Sequence, residues 1–218
     1  MKKALSLLLA VTILALSLLS LTSCGGQNAC SYFTERDTEG HTLRYAKITF
    51  KKYGEVYLLL DETTAPVSVN NFLNLASKGF YDNLTMHRII ENFMIQGGDP
   101  SANGSGGSED EIYGEFLENG YLHNDIRHLY GVISMARGDD PNSASSQFFI
   151  CNADSPHLDG KYAAFGYVIS GLGAVDKITR DTVKYAAAGS GTIADKSKQA
   201  VILSIREVTA EEALAAAK

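Results

Sequence analysis

Between Met86 and Asp99 the chain reads MHRIIENFMIQGGD, and this stretch leaves little freedom in how it can fold. Met86, Arg88 and Ile90 alternate with His87 and Ile89, the period of a half-buried strand. Glu91-Asn92 is a short polar break, and asparagine tolerates the left-handed backbone of a tight turn. Phe93 to Gln96 predicts a return strand, which Gly97-Gly98 stops. The hairpin holds a guanidinium (Arg88) beside a ring (Phe93), a thioether (Met94) and an amide (Gln96). Such a set can grip an apolar residue and its peptide bond; it contains no nucleophile–base pair and no metal cluster. Taken alone, the pattern also fits a core hairpin with Arg88 in a surface ion pair.

The N-terminus carries a targeting pattern. Met1-Lys2-Lys3 is a positive n-region and Ala4 to Leu19 an apolar h-region. Leu21-Thr22-Ser23-Cys24 then resembles the lipobox of bacterial lipoproteins. On this reading residues 1–23 are a leader and Cys24 is the lipidated N-terminus, which anchors an extracytoplasmic protein to the membrane of a bacterial cell envelope. An ordinary signal peptide cut near Ser23 and an uncleaved anchor are the alternatives. Several acyl chains hold a protein on a bilayer far better than one.

Removing residues 1–23 from the 218 leaves 195, enough for one domain with a real core plus a tail. It also removes Lys2 and Lys3, taking the formal net charge from −6 to −8. That acidic balance argues against a nucleic-acid partner, since phosphate binding needs clustered Lys and Arg. The 3 cysteines are too few for a disulfide framework. Cys24 is assigned to lipid, Cys30 to the tether and Cys151 to a strand as a buried thiol, with a Cys30–Cys151 bridge as the competing assignment.

Residues 24–42 are polar without apolar period and predict a flexible tether. Strands follow at Tyr45–Phe50 and Gly54–Leu60, joined by a turn at Lys51-Lys52-Tyr53-Gly54. Pro66 opens a helix with Thr63 or Thr64 as its cap; Val69, Phe72, Leu73 and Ala76 form its core stripe, and Gly79 ends it. After the central hairpin, PSANGSGGSED (residues 100–110) predicts a loop that closes against an extended ligand. It lacks the Gly-Lys-Ser/Thr ending of a P-loop. Gly171-Leu172-Gly173 likewise falls short of a dinucleotide fingerprint, because Asp176 stands where the third glycine belongs. Short strands at Gly131–Met135, Gln147–Cys151 and Lys161–Ile169, a helix at Ala174–Arg180 and a closing strand at Ala200–Val208 complete the domain. Residues 209–218 are a helical or frayed tail. Many short strands with two helices predict a capped β-barrel or sandwich.

Five motifs fall in register: His87-Arg88-Ile89-Ile90, Phe93-Met94-Ile95-Gln96-Gly97-Gly98-Asp99, Ser134-Met135-Ala136, Ser146-Gln147-Phe148-Phe149-Ile150 and Leu158-Asp159-Gly160-Lys161. In order and spacing residues 43–208 resemble the cyclophilins. The resemblance implies a closed eight-stranded antiparallel barrel capped by two α-helices, with the ligand groove outside because side chains fill the lumen. It implies peptidyl-prolyl cis–trans isomerase activity on proline-containing segments of exported proteins, by a monomer that needs no metal or cofactor. Arg88 is then the catalytic residue. Phe93, Met94, Phe149 and Leu158 would wall the proline pocket, Gln96 would bind substrate backbone, the main chain at Arg137 would hydrogen-bond the peptide and Ala136 would floor its approach. Gly104, Ser105 and Gly106, with Ser146 and Gln147, would border an adjoining pocket for the residue before proline.

Two positions depart from the best-known members of that family. His157 stands where they carry Trp, and Tyr162 where they carry His. The first change removes an indole N–H and apolar area, so cyclosporin should bind weakly; the second keeps a ring and a polar tip in the pocket wall. Neither is expected to touch Arg88. Arg137 replaces the more frequent Asn, and its charge is expected to favour acidic substrates. Against the isomerase stand a proline-segment binding module or holdase with little turnover, and a purely structural lipoprotein. A hydrolase lacks its G-x-S-x-G elbow, and His123 and His128 are expected to be exposed loop histidines before metal ligands.

Overall fold

The computed structural model describes residues 38–218. The leader, the lipidation site Cys24, Cys30 and all of the tether before Thr38 lie outside the described residues. Eight strands form one closed sheet: β1 (Leu43–Phe50), β2 (Gly54–Asp61), β3 (Thr85–Ile90), β4 (Met94–Gly97), β5 (Val132–Met135), β6 (Phe148–Cys151), β7 (Ala164–Ser170) and β8 (Ala200–Val208). Their spatial order is β1-β2-β7-β5-β6-β4-β3-β8, with β8 closing on β1 and every pairing antiparallel. Alternation decides what fills the lumen. Ala46, Ile48 and Phe50 of β1 join Val56, Leu58 and Leu60 of β2 in a single buried core. With side chains occupying the interior, binding is left to the outer wall.

Helix α1 (Pro66–Ser77) presses Val69, Phe72, Leu73 and Ala76 into that core, and Phe72 meets Phe148 and Phe165 at 5.4 Å between ring centroids. Helix α2 (Leu172–Thr182) adds Val175 and Ile178. The α1 cap is not the predicted threonine. Thr64 bonds instead to Asp61, through its backbone N–H at 3.0 Å and its hydroxyl at 2.8 Å. The first turn of α1 is satisfied by Glu115, 47 residues downstream. This buried carboxylate accepts the N–H groups of Val67 and Ser68 at 2.8 Å each and the Ser68 hydroxyl at 2.7 Å. A negative charge at a helix N-terminus is favourable there, and no local pattern in the sequence announces it.

Both end segments of the domain are tied to the barrel, and one strand boundary shifts. The tail is a third helix, α3 (Ala210–Ala216), capped by Thr209 and docked on the outer barrel wall through fully buried Ala213 and a 3.0 Å bond from Lys47 to Glu212. The end of the tether is fixed: His41 bonds Asp61 at 2.9 Å, and Glu62 donates its N–H to the Thr42 carbonyl. β7 begins only at Ala164, because Leu158 to Lys161 fold into a turn with Gly160 at φ +73°. Among the described residues no helix is long and apolar enough to cross a membrane.

Candidate active site

The barrel register lines up the central residues. Arg88 of β3 pairs with Gln96 of β4, Gln96 with Phe149 of β6, and Phe149 with Ser134 of β5. A second line, Ile90–Met94–Cys151, runs beside it. Asn92 takes the left-handed conformation, φ +58°, that the hairpin turn requires. The predicted hairpin supplies two residues of each line, Arg88 and Gln96 of the first and Ile90 and Met94 of the second.

Two neighbours hold the Arg88 guanidinium. Its Nε donates to the Ser190 carbonyl at 2.7 Å and its Nη1 to Gln96 Oε1 at 2.9 Å. Gln96 Nε2 donates to Gln147 Oε1 at 2.8 Å, and Gln147 Nε2 reaches the carbonyls of Gly104 at 3.1 Å and Gly106 at 2.7 Å. One hydrogen-bonded chain therefore runs from Arg88 to the glycine loop. Among the described residues Arg88 Nη2 has no partner. Burial pushes the Arg88 pKa down, with the nearby Tyr162 phenol pulling it back up.

Met94, Phe149, Cys151 and Leu158 form a separate buried apolar cluster, with Ile90, Phe93, Ala136 and Tyr162 packed against it. Phe93 leans on His157 at 5.2 Å, and Phe149 and Tyr162 meet in a T-shaped contact at 6.0 Å. All the predicted wall residues of the proline pocket meet here. Cys151 lies behind them as a free buried thiol whose pKa burial pushes up to about 12.

His128 is not the exposed loop residue anticipated. It is 1% exposed, stacks under Phe149 at 6.0 Å, and bonds Asp159 through Nδ1 and Ser134 through Nε2, both at 3.0 Å. The Ser-His-Asp line is no hydrolase centre, since Ser134 is completely buried and no substrate carbonyl can reach it. Its effect is to fix the ring that underlies Phe149.

Beside the apolar cluster lies a pocket of about 580 Å³. Gln96, Ala136, Arg137 and Gln147 line it, together with Gly104, Ser105 and Gly106 as predicted. Ser146 is not part of it. That residue is fully buried with its hydroxyl donated to the Gly98 carbonyl at 2.7 Å, and Ser145 lines the pocket instead. Asp99 shapes the loop by accepting the backbone N–H groups of Ser101, Asn103 and Gly104. Burial works against its charge, yet those donors and His87 hold its pKa below the usual carboxylate value. Gly106 passes so close to the Asp99 carboxylate that a Cβ would collide with it.

The Arg137 side chain is engaged by its neighbours. Its guanidinium lies between Tyr162 at 4.7 Å and Phe116 at 5.1 Å, and it donates twice to the Lys161 carbonyl and once each to those of Gly138 and Asp139. This charge is occupied in holding two loops together. The segment that carries Ser190 was not anticipated at all. It runs along β3, with the Ile89 N–H bonded to the Gly191 carbonyl and the Ile193 N–H to that of His87, both at 2.8 Å. Gly189-Ser190-Gly191 is the sequence signal that points to its turn.

Residues 45–207 match the family model described as cyclophilin type peptidyl-prolyl cis-trans isomerase/CLD. The chain belongs to the cyclophilin-type peptidyl-prolyl cis–trans isomerase family. It is similar to peptidyl-prolyl cis-trans isomerase-like 1 of Gibberella zeae, 45% identical over 126 residues that cover 57% of this chain and 75% of that one. The Schizosaccharomyces pombe peptidyl-prolyl cis-trans isomerase ppi1 is also 45% identical, over 120 residues covering 55% and 75%. Among solved structures, a cyclophilin-type isomerase of Cryptosporidium parvum superposes with a TM-score of 0.65 at 28% identity, covering 77% of this chain and 99% of that one. The same protein has been crystallised in the presence of the dipeptide Ala-Pro. This cyclophilin is therefore an isomerase of X-Pro bonds built on the family's closed barrel.

Proposed function

We propose that this cyclophilin catalyses X-Pro rotation in the groove between Arg88 and the Phe93–Met94–Phe149–Leu158 cluster, on extracytoplasmic proteins whose folding it assists. The observation that carries the site is the register line Arg88–Gln96–Phe149, which sets a fixed guanidinium beside an apolar pocket. The ground-state amide resists rotation by about 18–20 kcal/mol because of resonance. At the twisted transition state that resonance is lost and the prolyl nitrogen gains a lone pair. A positioned cationic donor is stronger there than in the ground state, so it lowers the barrier. Arg88 supplies Nη2 for this purpose and stays protonated at any working pH. The apolar cluster holds the proline ring while the preceding carbonyl rotates, and Gln96 with the exposed main chain at Arg137 engages the peptide on either side. No bond to the enzyme forms, so the reaction calls on no nucleophile.

The Ala-Pro dipeptide used with the Cryptosporidium parvum relative supports a proline-containing ligand. The pattern Leu21-Thr22-Ser23-Cys24 supports lipid attachment at Cys24 in a bacterial envelope, with a polar spacer between bilayer and barrel. The test is isomerisation of an X-Pro tetrapeptide by residues 25–218, together with fractionation of cells that express the full chain. Acceleration of the peptide, and movement of the full chain from membrane to soluble fraction on Cys24→Ser, are expected. Binding of the peptide without acceleration would replace catalysis by a holdase role. Soluble full chain with Cys24 intact would remove the anchor.

A further inference from the structure

The pocket beside the isomerase groove carries a charge that the rest of the site does not explain. Its outer rim is Glu109, Asp110 and Glu111. All three are exposed, and among the described residues none makes an ion pair. The arginine of the lining, Arg137, is held between two rings and against the carbonyls of Lys161, Gly138 and Asp139. Asp139 and Asp140, exposed on the turn that follows Arg137, add to the same sign. The carboxylates do not make the cavity: Gln96, Ala136, Gln147 and the Asp99-anchored loop do that. They set its potential. Both ends of their segment are tied down, through the Gly104 N–H bonded to Asp99 and the Ile112 N–H bonded to the Ala144 carbonyl at 2.7 Å. Three carboxylates against the one guanidinium of Arg137 leave the lining net negative, and such a cleft concentrates positive charge in its ligand.

We propose that this pocket selects substrates carrying a lysine or arginine within the two residues that precede proline. The proposal rests on the isomerase reading of the groove, since the pocket shares Gln96, Ala136 and Gln147 with it and so receives whatever side chain lies just before the proline. It reverses the preference expected from the charge of Arg137 alone. A basic side chain enters between Gln147 and the rim, lays its aliphatic stem along Ala136 and brings its cation to the carboxylates. An acidic side chain in the same place meets three like charges, and the held guanidinium of Arg137 is not released to pair with it.

The experiment measures kcat/KM of the purified protein on two peptide series, acetyl-X-Ala-Pro-Phe-amide and acetyl-Ala-X-Pro-Phe-amide, with X as Lys, Ala or Glu. Exposed ion pairs are individually weak, so a Lys-to-Glu ratio of about three- to tenfold at one of the two positions is expected in low salt. It should shrink toward unity at 1 M salt, where the screening length is only about 3 Å. In the Glu109→Gln, Asp110→Asn, Glu111→Gln triple variant the ratio should fall below about twofold, and in Glu109→Lys, Glu111→Lys it should invert. Each ratio is taken within one variant, so a change in overall activity does not enter it. Turnover of all peptides with Lys and Glu equal at both positions would overturn the proposal alone, as would a preference that persists in the triple variant. No turnover of the X = Ala peptides by the wild type would overturn the isomerase reading, and the proposal with it.

Discussion

Replacing Arg88 tests the chemistry most directly. The guanidinium is held by the Ser190 carbonyl at 2.7 Å and Gln96 Oε1 at 2.9 Å, so its remaining nitrogen is oriented before substrate arrives. Removing one such preorganised donor costs about 2.7–4 kcal/mol of transition-state stabilisation. At about 1.36 kcal/mol per decade, Arg88→Ala should lower kcat/KM by roughly two to three orders of magnitude. Stability should change by less than about 1 kcal/mol, because the two acceptors left behind sit at the groove rim, where water can replace the arginine. Arg88→Lys separates charge from geometry: a lysine keeps the cation but loses the planar fork that both acceptors grip. It should recover no more than about one decade of the loss. Kinetics would be followed by magnetisation exchange between cis and trans forms of an X-Pro tetrapeptide, with thermal unfolding in parallel. An Arg88→Ala protein that unfolds normally and keeps kcat/KM within a factor of two would refute the role of the donor. Full activity in Arg88→Lys would refute the need for a fixed fork.

Gly191 has φ +75°, and a Cβ there would strike Ile90 and the Ile89 carbonyl, so Gly191→Ala should displace the Ser190 carbonyl. The expected result is a kcat reduced roughly tenfold, from one lost charge-assisted bond, with KM little altered. Glu115→Ala leaves the N–H groups of Val67 and Ser68 and the Ser68 hydroxyl without their acceptor, and urea unfolding should show a loss of about 2–4 kcal/mol; a loss under 0.5 would mean that water caps the helix equally well. Burial lowers the pKa of both His87 and His128 below 6.5. Below that value the unfolded chain takes up protons that the folded chain refuses, so stability should fall with pH from 6.5 down to the depressed folded values. The slope is at most about 1.4 kcal/mol per pH unit for each histidine, and His87→Phe should flatten it.

The hairpin, the core stripe of α1 and the closing strand were legible because each rests on a local period that burial enforces, whereas the choice of a closed barrel over a sandwich came from the resemblance to the cyclophilins. The pocket wall, Phe93, Met94, Phe149 and Leu158, was likewise what the resemblance implied, carried by short motifs in register. The Glu115 cap and the grip of Ser190 on Arg88 were not. Each joins segments far apart in sequence, by 47 and 102 positions respectively, and neither residue type marks its partner. Arg137 and Ser146 show a different limit. Their identities were plain, yet a residue type does not reveal whether its polar group faces a ligand or a neighbour. His128 illustrates this again, since a histidine between Arg127 and Leu129 proved to be a buried support.

The glycine loop is fastened to the barrel almost entirely through main-chain groups. Asp99 takes three backbone N–H donors, Gln147 donates to two carbonyls, and Ile112 bonds Ala144 through its peptide N–H. Side chains at 108–111 bear none of that attachment beyond the Ser108 hydroxyl contact to the Asp110 carbonyl. A lineage can therefore rewrite the chemical taste of this enzyme at four neighbouring codons while the barrel and Arg88 stay as they are. Diversification of clients would then require no renegotiation with the fold.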